Sequence, residues 1–201
     1  ITANNSYTLA TNTAVPTFVG TTPTVEVANA KTLAWGTDLS AANSTVTKTG
    51  AGIWLFNNTG GQVTSNNTTL DVTTGTLQFN TSAASANLFT GTGGIVKVGS
   101  SDTLSLVQTY AGGYVAARSW TLGSKVIMNG GTFNSGGSTG ALFMRLTSGT
   151  AIQVDAASTI AQSNGSYGQN ITIEGTVTGT GNLNLNRAAA ATSSNRLLNI
   201  K

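Results

Sequence analysis

Carboxylates are the side chains in this chain that could do chemistry, and its 201 residues contain only six of them. Enzymes that cleave polysaccharides need two or three acidic groups, or acidic groups with a basic one, on the same face. Asp155 and Glu174 are separated by about one length of the structural repeat predicted below, so they could stack, with Arg145 nearby. We interpret the six instead as isolated surface carboxylates at the corners of the fold. They are Glu26, Asp38, Asp71, Asp102, Asp155 and Glu174.

The other residue types that catalysis or metal binding usually requires are missing. The sequence has no histidine and no cysteine, which removes the common nucleophile–base pairs and the thiolate metal ligands. No Gly-Gly-x-Gly-x-Asp repeat for calcium occurs. The glycine-rich run 91–94 precedes an apolar, strand-like segment instead of the helix that a phosphate-binding loop needs. We therefore predict a non-enzymatic protein with no catalytic residue, no cofactor and no metal site.

Two further patterns could bind a ligand. Threonines alternate with other residues over 45–49, 74–76 and 176–180, which matches the Thr-x-Thr motif of ice-binding solenoids. Because these runs do not recur at one fixed phase, we interpret them as ordinary threonine ladders on a solvated sheet. Aromatic residues could stack on sugars, but packing in the core or against loops is the interpretation that we prefer. The aromatic candidates are Trp35, Trp54, Trp120, Tyr110, Tyr114 and Tyr167.

The composition indicates strands and tight corners. Thr (36), Asn (20), Ser (19) and Gly (25) make up 100 of the 201 residues, and only 7% are charged. Disorder is excluded because Val, Ile and Thr recur throughout at strand spacing, whereas disordered chains lack β-branched residues. Small polar residues suit outward strand positions, and Gly or Asn suits corners that need a positive φ. The net charge of +3 comes from nine dispersed Lys and Arg residues, so we predict no nucleic-acid partner. No apolar run is long enough to predict a membrane span.

A short phrase recurs along the chain and predicts how these strands are arranged. It consists of an apolar residue, small polar residues with a Gly, and then alternating apolar positions, as in Leu77 and Phe79 around Gln78. The interval between the copies at Phe89 and Ile127 is twice the next interval, from Ile127 to Leu146. The shorter of the two intervals indicates a repeat near 20 residues. We therefore predict a parallel β-solenoid of about ten coils. The copies of the phrase start at Val46, Val72, Phe89, Ile127, Leu146 and Val177.

We predict a single β-solenoid domain over residues 1–201. Residues 1–30, which contain both prolines, are expected to form an irregular N-terminal coil or extension, and 107–122 a loop insertion. The alternative fold is an antiparallel β-sandwich, because Asn129-Gly130 and Asn164-Gly165 have the composition of hairpin turns.

The segment Thr45–Phe79 resembles the autotransporter-associated β-strand repeat, also called the passenger-associated transport repeat, of secreted bacterial proteins. The residues that carry the resemblance are Lys48-Thr49-Gly50-Ala51-Gly52 with Ile53-Trp54-Leu55, and Gly75-Thr76-Leu77-Gln78-Phe79 further on. The run from Gly175 to Leu183 is similar to the residues that lead into such a repeat. The resemblance implies a right-handed parallel β-helix on or outside a bacterial surface.

The two ends of a solenoid are open sheet edges that invite pairing with another chain. Both ends of this chain are strand-like, apolar and poor in charge. Two explanations remain: the chain is a piece of a longer solenoid, or its ends meet other subunits. We predict the second, as end-to-end self-association by strand addition. The candidate contact residues are Ile1, Tyr7, Leu9, Leu197, Leu198 and Ile200.

These observations together predict a non-enzymatic structural protein that is secreted or displayed on a bacterial cell surface. Its main partner is expected to be itself, in a homo-oligomer, a filament or a surface layer. The alternative is an adhesin or carbohydrate-binding passenger fragment whose partners are extracellular glycans.

Overall fold

A computed structural model describes residues 1–9, 16–57, 63–64, 66–81, 85–108, 118–137, 142–163, 169–187 and 197–201. Within these ranges the regular elements are 21 short strands, with no helix. The strands form three sheets. The fold is therefore all-β, as the composition predicts.

Among the described residues, the early strands alternate between sheets A and B, and the later strands belong to sheets A, B and C in turn. Sheet A contains β1 (Thr2–Ala3), β3 (Thr24–Val27), β5 (Thr45–Thr49), β7 (Thr69–Val72), β10 (Ile95–Val98), β13 (Lys125–Asn129), β16 (Ala151–Ala156) and β19 (Val177–Gly179). Sheet B contains β2 (Tyr7–Leu9), β4 (Thr32–Trp35), β6 (Ile53–Asn57), β8 (Thr76–Thr81), β11 (Thr103–Gln108), β14 (Thr132–Gly137), β17 (Ser158–Ser163) and β20 (Leu183–Arg187). Sheet C contains β9 (Ser85–Asn87), β12 (Arg118–Thr121), β15 (Leu142–Leu146), β18 (Gln169–Ile173) and β21 (Leu197–Ile200).

Neighbouring strands within each sheet run parallel, which confirms the β-solenoid and excludes the antiparallel sandwich for the described strands. Sheets A and B contain eight strands each, one from each turn, so the predicted ten coils are too many. Hydrogen bonds between adjacent turns join positions that differ by 23 at Ile1 and Thr24 and by 30 at Gly94 and Ser124. A turn is longer than the predicted repeat because it must supply three faces and three corners.

The interior is filled by columns of inward side chains, one above another along each sheet. The strands alternate buried and half-buried residues, as the period-two pattern predicts. One column of sheet B consists of Leu33, Trp54, Leu77, Leu104, Phe133 and Ile160, all of them buried. The column supplies a continuous apolar core along the solenoid.

Most of the described corner residues with a positive φ are Gly or Asn, as predicted, and Ala30 and Ser101 are the exceptions. Gly50 and Gly75 have φ values of 74° and 87° where the chain passes from sheet A to sheet B. At the corner that leads into sheet A, Asn43 and Asn67 both have φ of 52°. These two asparagines are stacked, and the Nδ2 of Asn67 donates to the Oδ1 of Asn43 at 3.1 Å. Asparagine tolerates this conformation better than most residues, because its short polar side chain can form local hydrogen bonds.

Buried hydroxyls tie successive turns together at the corner that leads into sheet A. Thr68 Oγ1 donates to the carbonyl of Ala41 at 2.6 Å, and Thr150 Oγ1 donates to that of Gly123 at 3.0 Å. One turn further along, Gly175 lies so close to the backbone of the preceding turn that only glycine fits at this corner. A Cβ on Gly175 would lie 1.8 Å from the carbonyl oxygen of Thr150.

We expect Gly175→Ala to lower the free energy of unfolding by about 1–3 kcal/mol, because the added methyl group forces the two backbones apart. Gly149→Ala is the matched control, since its Cβ would meet no atom closer than 3.8 Å and its φ is not positive. The control should be neutral or stabilise by about 0.4–1 kcal/mol through the unfolded chain. Urea unfolding followed by circular dichroism measures both, and equal effects would refute the close approach.

The two predicted irregular regions are partly regular. Residues 1–30 include strands β1, β2 and β3, and β3 joins β1 to β5 in sheet A. The predicted insertion 107–122 begins in β11 and ends just after β12, while 109–117 lie outside the described residues.

Candidate functional site at the ends of the solenoid

Exposed apolar side chains are concentrated at the two ends. Among the described residues, six large apolar side chains are exposed, and five of these lie on or beside the first or last strand of a sheet. They are Ile1 (56% exposed), Tyr7 (50%), Leu9 (38%), Leu185 (57%) and Ile200 (53%). Val19 is the sixth. The sides of the solenoid carry mostly half-buried and polar residues, so its ends are the candidate interaction surfaces.

At the N-terminal end, the exposed residues continue the inner columns of the core. Tyr7 pairs with Leu33 and Leu9 pairs with Trp35, two residues that are fully inside. The α-amino group of Ile1 donates to the carbonyl of Thr24 at 2.9 Å, which holds the chain start against β3. The apolar interior is therefore open at this end.

At the C-terminal end, the column of Tyr7 and a column of sheet C end in exposed apolar residues. Leu185 pairs with the buried Ile160, and Ile200 pairs with the buried Ile173. The backbones of Leu197 and Leu198 lie in β21, beside Asn170 and Ile171 of β18. All six predicted contact residues thus belong to the terminal strands or adjoin them.

Sequence reasoning missed Leu185. It lies in an alternating strand, β20, that resembles the internal strands of the same sheet. Only the register shows that β20 is the last strand of sheet B. Recognition of the true turn length in the sequence would have identified it.

The terminal strands have few of the features that usually prevent edge pairing. Proteins protect open edges with charged residues, prolines or bulges. Strands β1, β2, β19, β20 and β21 together contain no proline and one charged residue, Arg187, which pairs with the buried Gln162 in sheet B. The other residues of these strands add no charge against a further strand.

Asp155 and Glu174, the pair considered for catalysis, lie on or beside different sheets, in agreement with the preferred interpretation as isolated carboxylates. Asp155 lies in β16 of sheet A and accepts hydrogen bonds from Gln153 at 2.8 and 3.0 Å. Glu174 follows β18 of sheet C, where its carboxylate lies 2.6 Å from Arg145 and 3.6 Å from Lys201. The hydrogen bond from Arg145 lowers the pKa of Glu174. The two carboxylates have separate partners because their separation in sequence is less than one turn, so they do not reach the same place on successive turns.

Asp102 is an exception to the prediction of surface carboxylates, because it is only 3% exposed. Its Oδ1 accepts a hydrogen bond from the Gly75 amide at 3.0 Å, and its Oδ2 is buried without a partner. Burial raises its pKa, and the Gly75 hydrogen bond opposes that shift. The prediction fails here because the corner before β11 turns the side chain inward beneath the backbone.

A second buried charge lies on the other side of the same corner. Lys48 is 1% exposed and occupies an inner column of sheet A between Val25 and Val72. Its Nζ donates to the carbonyls of Thr49, Gly50 and Thr74. Burial lowers its pKa to about 8, and the negative charge of Asp102 opposes that shift.

Lys48 and Asp102 form hydrogen bonds with the carbonyl and the amide of the same peptide group, between Thr74 and Gly75. The ammonium binds the carbonyl of Thr74 at 2.8 Å, and the carboxylate accepts from the amide of Gly75. This arrangement links three consecutive turns, since Lys48 precedes β6, the peptide precedes β8 and Asp102 precedes β11. Both side chains are too buried to reach a substrate, so we assign them a structural role.

The described tryptophans lie in the core, in agreement with the preferred interpretation. Trp35 and Trp54 are 0% exposed and Trp120 is 4% exposed, so these three cannot stack on a sugar. Trp35 and Trp54 contact Phe56, with ring centroids 6.3 and 4.9 Å from its own. Tyr110, Tyr114 and Tyr167 lie outside the described residues.

One column of single threonines recurs at a fixed phase, although the Thr-x-Thr runs do not. Thr76, Thr103, Thr132 and Thr159 pair in succession on the outer face of sheet B. Successive members are one full turn apart, so the column is hidden when a shorter repeat is assumed. A single half-buried ladder matches the interpretation as a structural feature of the sheet. The next outward positions supply no second threonine rank, because they are Gln78, Ser105, Asn134 and Ala161.

The part of the chain that the structure describes contains no group of three acidic residues able to hold a metal ion, and no helix suited to crossing a membrane. No family model, curated protein or solved structure matches the chain.

Proposed function

We propose that this chain is a non-enzymatic structural subunit that associates end to end by strand addition, forming a fibre or a surface layer outside a bacterial cell. The observation that supports this proposal best is the location of the exposed apolar side chains at the two ends of the solenoid. The proposal includes a right-handed winding, which parallel crossover connections favour strongly.

Apolar burial and backbone pairing must act together in such a contact. Completing the burial of a half-exposed Tyr7, Leu9, Leu185 or Ile200 contributes roughly 1 kcal/mol each, about half the value of a fully buried side chain. The four together only reach the lower end of the roughly 4–15 kcal/mol that association costs. Continued hydrogen-bonded ladders in the sheets must therefore supply the rest, and assembly should depend on concentration.

Two features of the composition support an exported location. A chain without cysteine cannot form wrong disulfides in an oxidising compartment. Its low charge, 7% of residues, leaves little repulsion between packed subunits. Both features suit a subunit that must remain assembled outside the cell.

Assembly of the purified chain is the test of this proposal. We expect electron microscopy and sedimentation velocity to show rods that lengthen as the concentration rises. Tyr7→Glu and Leu185→Glu should each abolish the rods, because either places a charge in an open inner column. Asn184→Glu is the matched control, since Asn184 lies beside Leu185 on the opposite face of β20. It should leave the rods intact.

A monodisperse monomer at all concentrations would contradict the structural role. The adhesin alternative would then be tested on the same preparation with an array of extracellular glycans. Saturable glycan binding by the monomer would identify that alternative as the correct function.

A further inference from the structure

We infer that the contact between copies is head to tail and in register, with Tyr7 of one copy stacked on Leu185 of the next. This inference rests on the proposed end-to-end association and adds its polarity and alignment. The contact is heterologous, so it generates an open filament instead of a closed dimer.

The three-faced cross-section favours head-to-tail contact. A two-fold axis perpendicular to the solenoid reverses the order of the faces, so placing sheet A on sheet A would place sheet B on sheet C. A head-to-tail translation keeps the order and places β1 on β19 and β2 on β20. The added strands then run parallel to their neighbours, as the paired strands within the chain do.

The register follows from the inner columns. The sheet B column that begins at Tyr7 passes through Leu33 and Ile160 and ends at Leu185. The neighbouring column begins at Leu9 and ends at Arg187, so this register places the backbone of Arg187 beside Leu9. In sheet A, Thr2 pairs with Glu26, which places Ile1 level with Val25. The column of Val25 ends at Gly179, whose position carries no side chain. The bulky Ile1 of one copy would therefore lie over the smallest residue of the next.

The corners between the two columns have the same length at both ends. Tyr7 follows Ile1 by six positions, and Leu185 follows Gly179 by six positions. The same corner is longer in the second turn, where Leu33 follows Val25 by eight positions. Sheets A and B continue between these first two turns although their corners differ in length, so the equal corners at the two ends are compatible with continuation across the contact.

Disulfide trapping tests this register directly, because the chain has no native cysteine. Residues paired on neighbouring parallel strands have Cα atoms about 5 Å apart, within the range that a disulfide spans. The double variant Tyr7→Cys/Leu185→Cys should form a ladder of covalent multimers on a non-reducing gel after mild oxidation. Tyr7→Cys/Asn184→Cys is the register control and should form few, because its two positions face opposite sides.

The outcomes separate this inference from the proposed function. Filaments of the parent chain without cross-linking of the Tyr7→Cys/Leu185→Cys variant would overturn the register and leave the structural role in place. Covalent dimers of the single variant Tyr7→Cys would overturn the polarity, because they require two N-terminal ends to meet. Absence of parent filaments would instead refute end-to-end association itself. Electron microscopy of each reduced variant verifies that it still folds and assembles.

Discussion

Replacing Lys48 by Met is expected to lower the free energy of unfolding by about 3 kcal/mol. Methionine fills most of the same space in the inner column of sheet A, so the cavity that remains is small. The loss comes from three buried carbonyls, those of Thr49, Gly50 and Thr74, which lose their donor. Charge-assisted hydrogen bonds contribute about 1.5–3 kcal/mol each. Relief of the buried charge offsets part of their sum.

The effect of Lys48→Met should depend on Asp102, because both side chains bind the peptide between Thr74 and Gly75. Asp102→Asn alone removes the negative charge and leaves Lys48 without its counter-charge. The double variant should lose about 1–3 kcal/mol less than the sum of the two single variants. Strict additivity would show that the two charges do not cooperate through the peptide.

Lys48 also predicts a pH dependence with a definite sign. Its pKa in the folded chain is about 8, below the ordinary lysine value of 10.5. Between these two values the unfolded chain holds a proton that the folded chain has released, so the stability contributed at this site rises with pH. The parent chain should therefore gain stability relative to Lys48→Met from about pH 8 upward.

Urea unfolding in the assembly-blocked Leu185→Glu background measures these effects on single chains. Lys97→Met is the matched control, since Lys97 lies on the outer face of sheet A, between two inward valines. It should change stability by less than about 0.5 kcal/mol. A Lys48→Met variant as stable as this control would refute the structural role of the buried lysine.

Trp54→Ala is expected to cost about 4 kcal/mol, the range for removing a large aromatic side chain from a core. Trp54 is fully buried, and its ring lies 4.9 Å from that of Phe56 and 5.9 Å from that of Trp35. Phe56 in turn stacks on Phe79 at 4.9 Å. Loss of this ring leaves a cavity between two turns, because the stiff strands cannot collapse into it.

Trp54→Phe should cost much less than Trp54→Ala. The indole Nε1 of Trp54 is buried without a hydrogen-bond partner, which costs about 1–3 kcal/mol that phenylalanine does not incur. Removing this cost offsets most of the packing energy that is lost when the smaller phenylalanine ring replaces the indole. Leu55→Ala, on the half-buried outer face of the same strand, is the control and should have an intermediate effect. Unfolding midpoints of the three variants test this order, and equal losses in Trp54→Phe and Trp54→Ala would contradict it.

The strands that contain Trp54 and Leu77 show how much of the fold was predictable. Their residues alternate between one buried face and one solvent-facing side. This alternation predicts a strand regardless of which strands pair with it. Gly and Asn between the strands mark corners, because those residues reach a positive φ cheaply. The parallel solenoid followed from strands without helices, and the structure confirms it.

The number of turns was not predictable, for a reason visible in the recurring phrase. Its copies at Val46, Val72, Ile127 and Val177 lie at corners from sheet A to sheet B, while Phe89 and Leu146 lead into sheet A. Both kinds of corner need the same local residues, because each turns the backbone while keeping apolar residues inside. Intervals between unlike corners are not whole turns, so the repeat inferred from them was too short.

The strands, the corners and the absence of histidine and cysteine chemistry were predictable, since these depend on residue types and local spacing. The burial of Lys48 and Asp102 on one peptide group and the location of Leu185 on an open end became visible in three dimensions alone. Those facts depend on which turns are neighbours, and the pairing of turns is set by the whole coil length. Local periodicity cannot specify that length, because every strand presents the same alternation to the turns above and below it.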